Sequence, residues 1–162
     1  MTHPLTEHPA DPPSDPQALA DAVTQAMWSR DRATQGLGMQ ILSVKPGYAL
    51  IAMPVRGDMV NGHHICHGGF MFTLADSAFA FACNAYNEIT VASGFDVNLL
   101  AAARLGDVLT ARAVEVSKSG RTGVYDISVT NQKGAAIAAF RGRSYTMKGQ
   151  PLVEGLPMGK AR

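Results

Sequence analysis

Little in this chain serves covalent reinforcement or membrane crossing. Its 162 residues hold two cysteines, Cys66 and Cys83, enough for one bridge at most. A chain of this length can enclose a core unaided, so both are expected as free buried thiols in a reducing cytoplasm. No apolar run approaches the ~20 residues that span a bilayer. The amino terminus, MTHPLTEHPADPP, lacks the basic start and apolar stretch of a secretory leader. A formal net charge of +1 argues against general nucleic-acid binding. There is no GxSxG elbow, no Walker loop, no GxGxxG and no internal repeat. His63, His64, Cys66 and His67 crowd into five residues without a second ligand pair at zinc-type spacing, so no metal site is expected.

What is present suffices for one folded domain. The chain is 46% hydrophobic and 17% charged, outside the disordered range. Charge is uneven: residues 1–100 sum to −5 and residues 101–162 to +6. The basic half could face a small polyanion or be a solvated strand surface. Residues 1–16 are proline-rich without apolar periodicity, and are expected to form a disordered tail. The domain is expected over 17–149, with 150–162 as a second tail.

A helix is expected from Pro16 with Asp15 as its cap, carrying Leu19, Val23, Met27 and Arg30 on one stripe. Met39–Val44 and Tyr48–Val55 flank Lys45-Pro46-Gly47 and read as a hairpin. Gly69–Tyr86 is apolar nearly all round, the pattern of a central, enclosed helix. Four strands follow, at about Thr90–Leu100, Val108–Ser117, Arg121–Asn131 and Ala135–Met147. In the third, Tyr125, Ile127 and Val129 alternate with Asp126, Ser128 and Thr130, as a half-buried strand does. The fold class is α+β, an antiparallel sheet wrapped round a long helix.

Asp76 is the informative residue. Thr73, Asp76, Ser77, Ala80 and Asn84 form the one polar stripe of the central helix. A carboxylate there is either a base or nucleophile facing a cleft, or part of a solvent-facing stripe or polar subunit interface. His67-Gly68-Gly69 opens the same helix. Its free N–H groups and partial positive charge suit an oxyanion; a sharp entry turn would also explain the glycines. Asn61 could orient water or a thioester oxygen, or simply make an Asn-Gly turn with Gly62. Lys118 and Arg121, on a strand-to-strand turn, are candidates for phosphate contact or plain exposed charges, as are Arg141 and Arg143. Gly68 and Asp76 lie eight residues apart, ~12 Å along a helix. They cannot both reach one carbonyl within a chain, so a joint site would combine two chains.

The stretch Asn61–Asn84, NGHHICHGGFMFTLADSAFAFACN, with GVYDI at Gly123–Ile127 and FRGRS at Phe140–Ser144, resembles the phenylacetate-degradation thioesterases of the hotdog-fold superfamily. The resemblance covers roughly residues 17–149. It implies a hotdog fold, dimers with continuous sheets and usually a dimer of dimers. It also implies hydrolysis of acyl-CoA thioesters, typically of ring-hydroxylated phenylacetyl groups, with CoA as part of the substrate and no separate cofactor. By that resemblance Asp76 is base or nucleophile, Gly68 the backbone oxyanion donor with His67 beside it, and Asn61 the loop amide. Gly69, Thr73, Ser77, Lys118 and Arg121 are the expected substrate contacts. The sequence departs from the family at Asn98-Leu99-Leu100-Ala101-Ala102-Ala103. An Arg-Pro pair, preceded by Asp, is usual there, and its loss bears on the CoA contacts. Two other readings compete. Asp58 and His63 have the five-residue spacing of a hotdog enoyl-CoA hydratase, without the intervening Asn and Pro. A non-catalytic acyl-CoA-binding module would be expected to carry an added DNA-binding segment, which is absent.

Overall fold

The computed structural model describes residues 15–160; the expected tail falls almost wholly outside them. Helix α1 spans Pro16–Trp28. Proline fits its first turn because its missing N–H has no helical partner. Asp15 caps the turn by accepting from the Ala18 N–H at 3.1 Å. Leu19, Ala20 and Val23 are buried. Arg30 lies beyond the helix end. A second helix, α2, covers only Arg32–Gly36, too short for a periodic signal and not anticipated; Asp31 caps it. Strands β1 (Gln40–Lys45) and β2 (Tyr48–Pro54) form the expected hairpin. Helix α3 spans Gly68–Asn84. Strands β3 (Thr90–Leu99), β4 (Val108–Ser119), β5 (Thr122–Thr130) and β6 (Ala136–Thr146) complete the set.

All six strands form one antiparallel sheet in the order β1-β2-β4-β5-β6-β3. Helix α3 lies across its inner face, mainly over β2, β4 and β5. Tyr125, Ile127 and Val129 point inward, as their alternation requires. Phe79 sits among Phe95 and Tyr125 with ring centroids 5.1 and 5.2 Å away, edge to face, a favoured aromatic geometry. Gly142 leaves room for these rings: a Cβ there would meet Phe79 Cδ2 at 2.7 Å. Burial pushes the Cys83 thiol up to about 12 and raises that of Cys66; both are free.

The end of α3 is tied down by two asparagines. Asn84, placed on the polar stripe by sequence, is buried and pairs both amide atoms with the Thr90 backbone at 2.9 Å. Asn87 is fully buried at φ 59°, a left-handed conformation that Asn tolerates better than most residues. Its side chain donates to the carbonyls of Val153, Leu156 and Pro157 and accepts from the Val153 N–H. The segment after β6 is thereby held to the helix end. No helix among the described residues is long and apolar enough to cross a membrane.

Candidate active site

The amino terminus of α3 is presented by a clamped loop. The Cys66 N–H donates to the Ala103 carbonyl and the His67 N–H to that of Met59, both at 2.8 Å. Asn61 organises the loop from within: its Oδ1 accepts from the His63 N–H at 2.9 Å and the Ile65 N–H at 3.4 Å. The acceptor of Asn61 is therefore committed to the turn, while its Nδ2 has no partner among the described residues. The segment that lacks the Arg-Pro pair thus contributes Ala103 as a backbone anchor for the site loop.

His67 is the N-cap of α3. Its Nδ1 accepts from the Gly69 N–H at 3.0 Å, which leaves the ring proton of the neutral imidazole on Nε2. The Gly69 N–H is consumed by this bond. The Gly68 N–H has no acceptor among the described residues, on a helix end whose dipole is positive. Of the two glycines, only Gly68 therefore offers a free donor. A Cβ on Gly68 would meet Leu99 Cδ1 at 2.8 Å, so the Leu99 side chain, at the end of β3, lies close against this helix end.

Asp76 stands two turns along α3, half-buried, and no donor pairs with it among the described residues. Burial raises its pKa, and the negative charge of Asp31 adds to the effect. The neighbouring hydroxyls are engaged within the chain. Thr73 Oγ1 donates to the Gly69 carbonyl at 2.9 Å, and Ser77 Oγ shares a hydrogen bond with Thr34 Oγ1 at 3.0 Å. Lys118 and Arg121 lie elsewhere. Lys118 Nζ sits 4.2 Å from the Tyr86 ring centroid, and Arg121 donates to the Tyr145 hydroxyl at 3.0 Å. Tyr86 follows the carboxyl end of α3, ~25 Å from Gly68 by the helical rise. One protomer does not bring these two cations to Gly68. Arg141 is paired with Asp126 and Arg143 with Asp96.

Asp58 is held by Arg56 in a two-pronged ion pair and lies exposed, a poor setting for a hydratase acid or base. Among the described residues no group of three or more His, Cys, Asp or Glu could hold a metal. Sequence reasoning missed a cluster at the far end of α3. There the Tyr86 and Tyr125 hydroxyls both donate to Glu115 Oε2, at 3.0 and 2.7 Å. A cleft of about 730 Å³ opens there between Tyr48, Tyr86, Glu115 and Lys45. Nothing in local periodicity announces it, since Tyr86, Glu115 and Tyr125 come from separated stretches of the chain.

β3 is an edge strand, bonded to β6 on one side only. Val97, Leu99 and Leu100 are 44%, 54% and 57% exposed. A long apolar edge of this kind is open to pairing with another strand.

Comparison with known proteins agrees with this fold. Residues 63–138 match the family described as the thioesterase superfamily. The acyl-coenzyme A thioesterase PaaI of Escherichia coli K12 is 43% identical over 124 residues, 76% of this chain and 89% of that protein. The solved structure of the E. coli PaaI protein from the phenylacetic acid degradation operon superposes with a TM-score of 0.82 at 40% identity, covering 84% of this chain and 99% of that one. A hypothetical thioesterase of Streptococcus pneumoniae TIGR4, solved with coenzyme A, gives a TM-score of 0.66 at 25% identity over 69% of this chain and 90% of that one. With its six-stranded sheet, its central helix and these relatives, the chain belongs to the thioesterase superfamily, as a hotdog-fold thioesterase of the PaaI type.

Proposed function

We propose that this protein hydrolyses acyl-CoA thioesters of the phenylacetyl and hydroxyphenylacetyl kind, at sites that each combine Gly68 of one protomer with Asp76 of another. One observation carries the reading. The Gly68 N–H and the Asp76 carboxylate, neither with a partner among the described residues, share one helix but stand too far apart to act on one carbonyl. The open β3 edge beside Gly68 gives a second copy a place to pair. A two-fold operation about that edge would build two equivalent sites. Two such dimers would make the tetramer that the family resemblance implies. The names of its relatives support the substrate class: one is an acyl-coenzyme A thioesterase, and another was solved with coenzyme A.

In this mechanism the thioester oxygen accepts from the Gly68 N–H at the positive end of α3. As the carbonyl becomes tetrahedral its charge grows, and that donor gains strength with it; one such donor is typically worth about 3–4 kcal/mol. His67 contributes by holding Gly69 in place, so that the helix end stays open at Gly68. Asp76 takes a proton from water as it attacks, or attacks the carbonyl itself. The CoA thiolate leaves and is protonated; by the first route the acid departs at once, and by the second the acyl group stays on Asp76 as a mixed anhydride, which water hydrolyses to release the acid and restore the carboxylate. The open Nδ2 of Asn61 faces the remaining task of orienting water or substrate oxygen.

The test is release of free thiol from a panel of acyl-CoAs, aryl and straight-chain, by the protein and by Asp76→Asn. Fast aryl release that disappears in the variant supports the proposal; equal rates in both would overturn the assignment of Asp76. A single turnover in ¹⁸O water separates the two routes, since direct attack leaves label in the Asp76 carboxylate.

A further inference from the structure

The polar stripe of α3 does not face empty space along its length; α2 is fastened to it. Asp31 Oδ1 accepts from the Thr34 N–H at 3.0 Å and Oδ2 from the Thr34 hydroxyl at 2.5 Å. Thr34 is buried, and its Oγ1 is 3.0 Å from Ser77 Oγ, one residue along α3 from Asp76. Asp31, Thr34 and Ser77 thus form a continuous hydrogen-bonded chain from one helix to the other. It ties a second carboxylate, through Thr34, to the residue that follows Asp76. Among the described residues no cation neutralises Asp31: neither Arg30 nor Arg32, its sequence neighbours, forms an ion pair with it, and the ion pairs present involve other groups. A cap needs only an acceptor, which Ser, Thr or Asn supplies without charge. An Asp cap meets the positive end of α2 favourably, but the charge it brings beside the α3 stripe is more than the cap requires.

We infer that Asp31 is a positioning residue for the reaction: braced by Thr34 and Ser77, it sets the electrostatic surroundings in which the Asp76 carboxylate works. This rests on the reading of Asp76 as the base or nucleophile. The groups facing Asp76 are few. Thr73 and Ser77 flank it on α3, and Cys83 two turns on feels its charge. Among the described residues, Asp31 is the charge that acts on it, from the α1–α2 connection. Burial is the larger influence on Asp76 and Asp31 the second, both in the same direction. Two like charges in one region disfavour joint ionisation. A carboxylate that binds its proton more tightly is also the stronger base when ionised.

The experiment compares wild type, Asp31→Asn, Asp31→Ser and Asp76→Asn. Both Asp31 replacements remain competent caps, so a charge effect is read twice in differently sized side chains. Two quantities are measured: the acid limb of the kcat/KM profile against pH, each variant relative to its own plateau, and the ¹³C-carboxyl NMR titration of Asp76. The expected result is that both move to lower pH in Asp31→Asn and in Asp31→Ser. A purely structural role for Asp31 would alter the plateau or the melting temperature without moving the titration. An Asp76 titration that stays in place in both variants overturns the inference, while leaving the function intact if Asp76→Asn has lost at least about 10²-fold in rate. Full activity in Asp76→Asn instead overturns the function reading, and with it any catalytic meaning of Asp31.

Discussion

Replacing Gly68 with alanine isolates the geometric requirement at the helix end. The backbone there has an ordinary negative φ, so alanine meets no conformational penalty. The N–H donor is retained. What changes is a methyl placed 2.8 Å from Leu99 Cδ1, where ordinary contact begins at 3.4 Å. The two must part by about 0.6 Å. Within one protomer Leu99 is exposed and can give way, so the protomer fold should lose little, and alanine's better helix propensity offsets part of it, by up to about 1 kcal/mol. Catalysis is less forgiving, since a displacement near 1 Å at a reacting centre costs on the order of 10²-fold. The expected outcome is a melting temperature close to wild type and a kcat/KM lower by about 10², about 2.7 kcal/mol of transition-state stabilisation. Thiol-release kinetics and a thermal melt on the same sample read both. Adding Leu99→Ala should restore part of the rate if displacement of Leu99 is the cause, and a double-mutant cycle measures that coupling. Wild-type turnover in Gly68→Ala would refute the placement of the carbonyl at this helix end.

Asp76→Asn should raise stability at neutral pH. The folded state holds the Asp76 proton more tightly than the unfolded state does, so ionisation costs stability in full above the folded pKa and nothing below the unfolded one. Denaturant titrations at neutral and acid pH should show a gain that vanishes on acidification; an equal gain at both would contradict it. Val97→Lys, on the open β3 edge, should yield a monomer by light scattering and abolish thiol release, because a charged edge resists pairing; an active monomer would sink the shared site. Asn87→Ala should cost about 2–4 kcal/mol, combining lost hydrogen bonds, stranded buried partners and the strain of φ 59°. Hydrogen exchange should then rise over residues 150–160, and Asn87→Gly should recover only the strain. Phe79→Ala should cost about 3–5 kcal/mol by chemical denaturation, as it empties the space between Phe95 and Tyr125.

Much of the fold was legible because its signals are local. The alternation in β5, the Asp15-Pro16 start of α1 and the apolar run of α3 each follow from neighbours in the chain. The insertion of β3 beside β6 rather than beside β4 depends on contacts some fifty residues apart, which no local pattern encodes. Helix α2 escaped because one turn and a half has no period to detect. At the site, Gly68 and Asp76 stood out as a helix-opening glycine and a charge in an apolar run. Which glycine has a free N–H could not be read, since that depends on the direction of the His67 ring. Nor could the fastening of Ser77 to Thr34, forty-three residues away.

The two buried thiols have a practical consequence at the bench. With the Cys83 thiol pushed up to about 12 and that of Cys66 also raised, neither presents a thiolate near neutral pH, and thiolate is the reactive form. A colorimetric thiol reagent added to the folded protein should therefore report coenzyme A released and almost nothing from the protein itself. When the core opens, the same reagent gains two sulfur atoms per chain. One reagent thus measures turnover while the core stays closed, and unfolding once it opens.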